Sequence, residues 1–358
     1  MIMERIDAAI LGATGVVGQQ FLKMLTGHPF FRVTAVCASD ARLGQQLGDI
    51  QPLVPGGIPE DLKDLAFSPL NVASLQDAGV RVVFSALPTD AARRMEFECA
   101  DAGLKVFSNA SVYRMAAEVP ILIPEINAAH LQLVWAQTHG RGGFIVTNAN
   151  CTTTGLALAL MPLRTRGIRK VIIASYQAIS GAGYPGVAAL DIMANVIPFI
   201  DGEESKVRSE CRKIFGRVEG SALTPADWEI HAHCIRVATI TGHLVSLHAE
   251  LDQPITQGEL EALYQSVPSP PEVRDLPTAP AFPVLLVRDP MRPQPKLDLE
   301  AGYPERARGM AVTVGRLEAG GSVVRMVALS HNLIRGAAGG SILNAELAVK
   351  MGMLKEES

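Results

Sequence analysis

The sequence is short of several features that would point to a particular setting. Its five cysteines, Cys37, Cys99, Cys151, Cys211 and Cys234, are scattered, odd in number and never in CxxC spacing. That argues against a disulfide framework and against a structural zinc site, so no metal is expected. No run of lysine and arginine stands out, and a formal charge of −4 gives no global basic field. A nucleic-acid or anionic-lipid surface is therefore not expected. No stretch approaches the roughly 18 uninterrupted apolar residues that a membrane helix needs. The opening MIMERIDAAILGATG sets charges before a very short apolar run and shows no small-residue cleavage site. It reads as a first strand and turn rather than a signal peptide. Small-molecule chemistry in the cytoplasm is the expectation that remains.

What the sequence does have is length and apolar content. A chain of 358 residues that is 48% hydrophobic is too long for one ordinary core and can fill two. Its first half opens with IDAAILGATGVVGQQFLKMLTGHP, a strand, a glycine turn and an amphipathic helix with Val16, Phe21, Leu22 and Leu25 for a buried face. The turn, Gly12-Ala13-Thr14-Gly15-Val16-Val17-Gly18, is a GxxGxxG variant of the dinucleotide fingerprint. Glycine lets the backbone come close to a pyrophosphate, whose charge the free N–H groups of a helix start favour. Further strands follow in alternation with helices: FRVTAVCASD, VRVVFSALP before a helix from Thr89 to Ala102, LKVFSNAS and GFIVTNANC. This pattern predicts a doubly wound parallel sheet with helices on both faces. At the tip of the second strand stands Ala38-Ser39-Asp40-Ala41-Arg42. Ser39 and Arg42 could hold a 2′-phosphate and Asp40 could oppose it; NADP is the preferred reading over NAD.

The second half is rich in short strands, among them IRKVIIASYQAIS, AHCIRVATI, HLVSLHAEL, MAVTVGRL and VVRMVALS. Turn signals between them predict a largely antiparallel sheet in a second domain. The tail NLIRGAAGGSILNAELAVKMGML predicts a helix with Ile342, Leu343, Leu347 and Met351 on one side, packed back on the first domain. The expected division is 1–151 with 332–358 as the dinucleotide-binding domain, and 152–331 as the catalytic and dimerisation domain.

One stretch, TNANCTTTGLALALMPL from Thr147 to Leu163, sets Cys151 between small polar residues and an apolar run. A cysteine there is either a packing residue or a nucleophile. As a nucleophile it would stand at a strand end just before a helix, where free N–H groups lower a thiol pKa and can hold a developing oxyanion. His231 and His233, two apart on a strand, could with Cys234 form the edge of a metal site, but no further ligands are spaced to complete one.

The segments LGATGVVGQ, SNA, NCTTTG, QAISGAGYPGV, NVIPFIDGEESK, CIRVATITGH, RPQPKLD and SHNLIRGAAGGSILNAE occur in this order from Ile6 to about Met351. Together they resemble the aspartate-semialdehyde dehydrogenase family, in its archaeal and fungal branch. The resemblance implies an α/β fold, a Rossmann-type domain plus an α+β catalytic and dimerisation domain. It also implies NADP-linked interconversion of aspartyl 4-phosphate and aspartate semialdehyde, with inorganic phosphate as co-substrate and a homodimer or homotetramer as the assembly. It makes Cys151 the nucleophile, Asn150 its neighbour in orientation, His243 the acid/base and Gln177 a residue beside the cysteine. Arg236 would bind the substrate α-carboxylate. Glu203 and Lys206 would help hold the ammonium group and the phosphate, although their one-turn spacing also suits an exposed ion pair. Asn109 and Arg114 would cradle the acyl phosphate. Asn332 and Arg335 would either reach the nicotinamide end of the cofactor or fix a domain contact. The family pattern is broken at Leu244 and Val245, where Thr or Ser and then Glu are usual, and at Ile235, where Asn is usual. Malonyl-CoA reductase, a sister group with the same cysteine and hydride chemistry, resembles GAGYPG, RVATITGH, LPTAP and the tail; GEESK, NANCTTTG and RPQPKLD favour the aspartate enzyme. A nucleotide-binding regulator that has lost the reaction is a further alternative.

Overall fold

The computed structural model describes residues 4–354. The first half contains β1 (Ile6–Leu11), α1 (Val16–Leu25), β2 (Phe31–Cys37), the two-residue β3 (Phe67–Ser68), α2 (Val72–Asp77), β4 (Val82–Ser85), α3 (Thr89–Asp101), β5 (Lys105–Ser108), the single turn α4 (Pro124–Asn127) and β6 (Phe144–Thr147). All these strands pair in parallel, in the order β3-β2-β1-β4-β5-β6. Parallel neighbours need crossovers, and the crossing helices bury both faces, which is why β4 reads VVFS with every residue buried. The strand order reverses between β1 and β4. Their carboxyl ends therefore open the crevice in which Rossmann-type sheets bind ligands.

The second half contains α5 (Cys151–Leu160), β7 (Ile168–Gln177), α6 (Ala189–Ile192), α7 (Glu203–Ile214), the hairpin β8 (Arg217–Glu219) and β9 (Ala222–Thr224), β10 (Glu229–Arg236), β11 (His243–Leu251), α8 (Gln257–Gln265), β12 (Val284–Leu286), α9 (Pro295–Asp298), β13 (Val312–Gly320) and β14 (Val323–Ser330). Its sheet runs β10-β7-β11-β14-β13-β12. The centre is antiparallel, but β10 with β7 and β12 with β13 run parallel. The sheet is therefore mixed rather than largely antiparallel. The physical reason is that these edge pairs are joined by crossovers through α7 and α9, not by hairpins.

Buried and exposed residues alternate along β7 and β10, and the buried set packs beneath α5 and α7. Gln177, Arg236 and His243 fall on this covered face, at the ends of β7 and β10 and at the start of β11. Helix α5 is buried along its whole length from Thr152 to Leu160. That suits its apolar composition on every side, since a helix without a polar face belongs inside.

After β14 the chain passes through a π-helical turn (Ile334–Ala338) into α10 (Gly339–Lys350). Ile342, Leu343, Ala345, Leu347 and Ala348 join the same core as Ile10, Phe84 and Phe107 of the first sheet. Here the structure differs from the one-sided pattern: every residue from Gly339 to Ala348 is buried, and Met351 lies exposed beyond the helix end. The small residues allow this. A Cβ on Gly340 would stand 2.7 Å from Asn148 Oδ1. Among the described residues no helix is long and apolar enough to cross a membrane.

Candidate active site

The glycine loop is built from backbone. Gly12 turns with φ of +80°, and the Gly12 and Ala13 N–H groups donate to the Cys37 carbonyl at 2.9 and 3.1 Å, tying the loop to the end of β2. A Cβ on Gly18 would overlap the Gly12 carbonyl oxygen and stand 2.7 Å from Ala13 Cα, so loop and helix touch too closely for a side chain. Gly15 is different: its missing Cβ would meet only the Gly12 carbonyl oxygen, at 3.5 Å. It is the N-cap of α1, with no side-chain cap and no acid in the first turn. The open N–H groups and the dipole of α1 fit an anion such as a pyrophosphate. Thr14, Gly15, Val16, Val17 and Gly18 line the cleft, with Ala13 buried behind them. Ser39 and Arg42 are not in its wall. They stand beyond the end of β2 in an exposed turn, where Arg42 Nη1 donates to Gln45 Oε1 at 2.9 Å.

The cleft, 720 Å³ in volume, runs from the glycine loop to Asn109, Arg114, Asn150, Cys151 and Asn332. Cys151 opens α5, and Gly336 of the π-helical turn passes so close that a Cβ there would be 2.6 Å from the Cys151 Cβ. Asn150 caps the helix: its Oδ1 accepts the Thr152 and Thr153 N–H groups at 3.0 and 3.2 Å. Asn150 thus shares these donors, and the lowering expected of the helix start is outweighed by burial. Burial pushes Cys151 up to about 12 and Glu203 adds to the rise, while Arg114, the Thr152 N–H and Arg236 pull it down. At neutral pH the resting group is a thiol.

Behind Asn150 lies a polar cluster that draws on three elements. Glu203, 8% exposed, accepts from Asn150 Nδ2 at 3.0 Å, Gln177 Nε2 at 3.3 Å and Lys206 Nζ at 3.2 Å. The Glu203 and Lys206 pair is thus no surface ion pair: only the lysine is partly exposed. Arg114 donates to Glu210 Oε1 at 2.9 Å and to the Asn109 carbonyl at 2.7 Å. Asn109 in turn receives Asn148 Nδ2 at 3.2 Å.

Arg236 and His243 meet at Ala178. The Ala178 carbonyl accepts Arg236 Nη1 at 2.8 Å, and its N–H donates to His243 Nδ1 at 3.1 Å. With Nδ1 accepting, the neutral ring carries its proton on Nε2, which has no partner. Burial, then the Arg236 charge, push His243 down to about 3, against a backbone hydrogen bond at Gly242 that favours the charged form. Gly181 forms the cleft wall in front of both residues: a Cβ on it would stand 2.9 Å from Arg236 Nη1 and 3.0 Å from His243 Nε2. Asn332 lines the cleft, accepts the Gly242 N–H at 2.8 Å and donates to Ser180 Oγ at 2.9 Å. Arg335 turns away and pairs with buried Glu125 at 2.8 Å, a contact between elements. On β10 the strand alternation sends Cys234 inward and His231 and His233 outward, so the three do not converge.

The family model for the semialdehyde dehydrogenase NAD-binding domain matches residues 7–134, and that for the semialdehyde dehydrogenase dimerisation domain matches 160–335. An aspartate-semialdehyde dehydrogenase from Archaeoglobus fulgidus is 46% identical over 97% of this chain and 98% of its own. The chain belongs to the aspartate-semialdehyde dehydrogenase family. A malonyl-CoA reductase (NADP) from Metallosphaera sedula is 36% identical, covering 98% of each chain. The crystal structure of aspartate-semialdehyde dehydrogenase with NADP from Candida albicans superposes with a TM-score of 0.86 at 32% identity, over 97% of this chain and 99% of that one.

Within this family the residues that sequence reasoning missed are Ala178, Gly181, Glu210 and Gly336. Ala178 acts through its peptide groups, and the two glycines act by lacking a side chain. Glu210 carried a signal: it lies seven residues after Glu203, on the same face of α7.

Proposed function

We infer that this chain is an NADP-dependent aspartate-semialdehyde dehydrogenase that interconverts aspartyl 4-phosphate and aspartate semialdehyde in the biosynthesis of lysine, threonine and methionine. The observation that carries this is a single cleft reaching from an uncapped glycine loop to Cys151, with Arg114 and Asn109 on its wall. In this reading residues 1–151 and 332–358 serve the nucleotide and 152–331 the acyl group, as an enzyme of the cytoplasm. The loop Gly12–Gly18 would hold the pyrophosphate, Ser39 and Arg42 the 2′-phosphate, and Asn332 the nicotinamide end.

Cys151 Sγ gives its proton to His243 as it attacks the acyl carbon, the bond from that carbon to the phosphate oxygen breaks, phosphate leaves and a thioester remains. Covalent capture divides one hard reduction into two steps. The loop would hold NADPH, which when bound would supply the hydride for reducing the thioester. Arg114 and Lys206 neutralise the departing phosphate and Asn109 hydrogen-bonds to it, while Arg236, as a planar fork, takes the α-carboxylate. Glu203 serves the ammonium, and Asn150 and Gln177 hold its carboxylate. The Nε2–H of His243 is a donor for the oxygen borne by the tetrahedral carbon, and when that hemithioacetal collapses the C–S bond breaks, the aldehyde leaves and the sulfur recovers its proton. The backbone hydrogen bond at Gly242 favours the charged ring, so His243 can take up a proton during the reaction and return it.

The assay is oxidation of aspartate semialdehyde by purified protein with NADP or NAD, with and without inorganic phosphate. Obligatory phosphate and preference for NADP are expected. CoA-dependent oxidation of malonate semialdehyde, indifferent to phosphate, would transfer the chain to the sister activity, and binding of nucleotide without either reaction would make it a regulator. The open face of the second sheet exposes Ile172 and Tyr176, and the dimerisation domain of the family covers these strands. A second copy seated there gives the homodimer, and two dimers the tetramer. Light scattering that finds a monomer at working concentration removes this part of the reading.

A further inference from the structure

The face of α7 that carries Glu203 and Lys206 continues with Glu210 and Lys213, which are 2% and 3% exposed. Lys213 does not line the cleft. Its Nζ donates to the main-chain carbonyls of Arg114, Ala116 and Val119 at 2.7, 2.6 and 2.7 Å, using all three N–H bonds of an ammonium. Glu210 receives Arg114 Nη1 at 2.9 Å on one oxygen and the Asn150 N–H at 2.6 Å on the other. One helix therefore fastens both the loop that carries Arg114 and the start of the helix that carries Cys151. A buried ammonium is costly, and burial lowers Lys213 to about 8; it is tolerated here because all three of its N–H bonds meet main-chain carbonyls. The expense is understandable if the position of the loop matters. Arg114 itself is 7% exposed and its Nε has no partner.

We propose that Lys213 is a positioning residue for the phosphate step: its clamp on the 114–119 carbonyls holds the Arg114 guanidinium in the cleft beside Cys151. The proposal rests on the reading of this cleft as an acyl-phosphate site. Glu210 completes the arrangement by fixing the same guanidinium against the start of α5. A displacement of Arg114 by an ångström leaves the nucleotide and the aldehyde where they are and misplaces the group that meets the phosphate.

The test uses the full chain with Lys213→Met, the milder Lys213→Gln and the charge-keeping Lys213→Arg. Binding of inorganic phosphate is measured by calorimetric titration, and KM is measured for phosphate, NADP and aspartate semialdehyde. Lys213→Met is expected to weaken phosphate about tenfold or more. The two other KM values should stay within about twofold and kcat at saturating phosphate within about threefold, with Lys213→Arg recovering most of the phosphate affinity. If Lys213→Met does not fold, Lys213→Gln decides in the same way. A folded variant with unchanged phosphate binding, or with equal losses for all three ligands, overturns the clamp alone. A parent protein that binds no phosphate overturns the reading of the cleft and the clamp with it.

Discussion

The two ends of the cleft are made of different material. The nucleotide end is backbone: Gly12, Gly15 and Gly18 shape it, and no charged side chain of the loop enters it. The acyl end is a buried network of side chains in which Glu203, Glu210, Lys213, Arg114 and Arg236 are all nearly inaccessible to water. A backbone cradle binds an anion at little cost, because its N–H groups are left over by any helix start. A buried charge network must be complete to be tolerated, since each missing partner leaves a desolvated charge. The first end should therefore fail by steric intrusion and the second by loss of a partner.

Substitutions can break this contrast or sharpen it. The largest effect is expected for Cys151→Ala, which should lower turnover by at least ~10³-fold and leave NADP affinity within about twofold, because the thiol acts in chemistry outside the loop. Fluorescence titration of NADPH alongside the assay checks both halves; retained turnover would remove Cys151 as nucleophile. Next comes Gly18→Ala, whose Cβ meets backbone that cannot yield. It should cost about 3 kcal/mol in NADP binding or folding, the upper end for overpacking, with Cys151 alkylation kinetics unchanged. Normal NADP affinity and stability would show that the loop is not held as tightly as described.

Arg42→Ala is expected to cost NADP about 2 kcal/mol, as for a charged hydrogen bond, and to leave NAD nearly untouched. Equal losses for both nucleotides would sink that assignment. The smallest effect, taken per pH unit, belongs to His243. His243 titrates at about 3 in the native state against the ordinary 6.5, so between these values the unfolded chain holds a proton that the native protein refuses. Its contribution is complete above about 6.5 and lost as pH falls toward 3, at up to about 1.4 kcal/mol per pH unit. Denaturation midpoints of parent and His243→Asn at pH 7 and 5 measure it; parallel losses in the two proteins would contradict the buried, neutral ring.

The same contrast explains what could be read in advance. The glycine loop and its flanking elements lie within one stretch, so spacing alone exposed them. The acyl end draws on Asn109, Asn150, Gln177, Glu203 and Arg236, far apart in the chain, and only resemblance to a family gathered them. Even that did not reach Ala178, which works through its peptide groups, or Lys213, which looks in sequence like any charge on a helix. The thiol escaped for a related reason: the start of a helix can be read in sequence, but the burial that raises Cys151 and outweighs the Thr152 N–H cannot. The mixed second sheet was hidden because apolar alternation does not say which strand lies beside which.

Helix α10 completes the core around β1, β4 and β5, although about two hundred residues and a whole second sheet intervene. In a chain made from its amino end, the nucleotide side is thus begun first and finished last. Until residues 339–350 emerge, Ile10, Phe84 and Phe107 have α1 beside them but lack Ile342, Leu343 and Leu347, while the second sheet already has all its strands. The order of synthesis therefore leaves the nucleotide side the last to have its core complete, although the cleft wall itself ends at Ala337, just before the last helix.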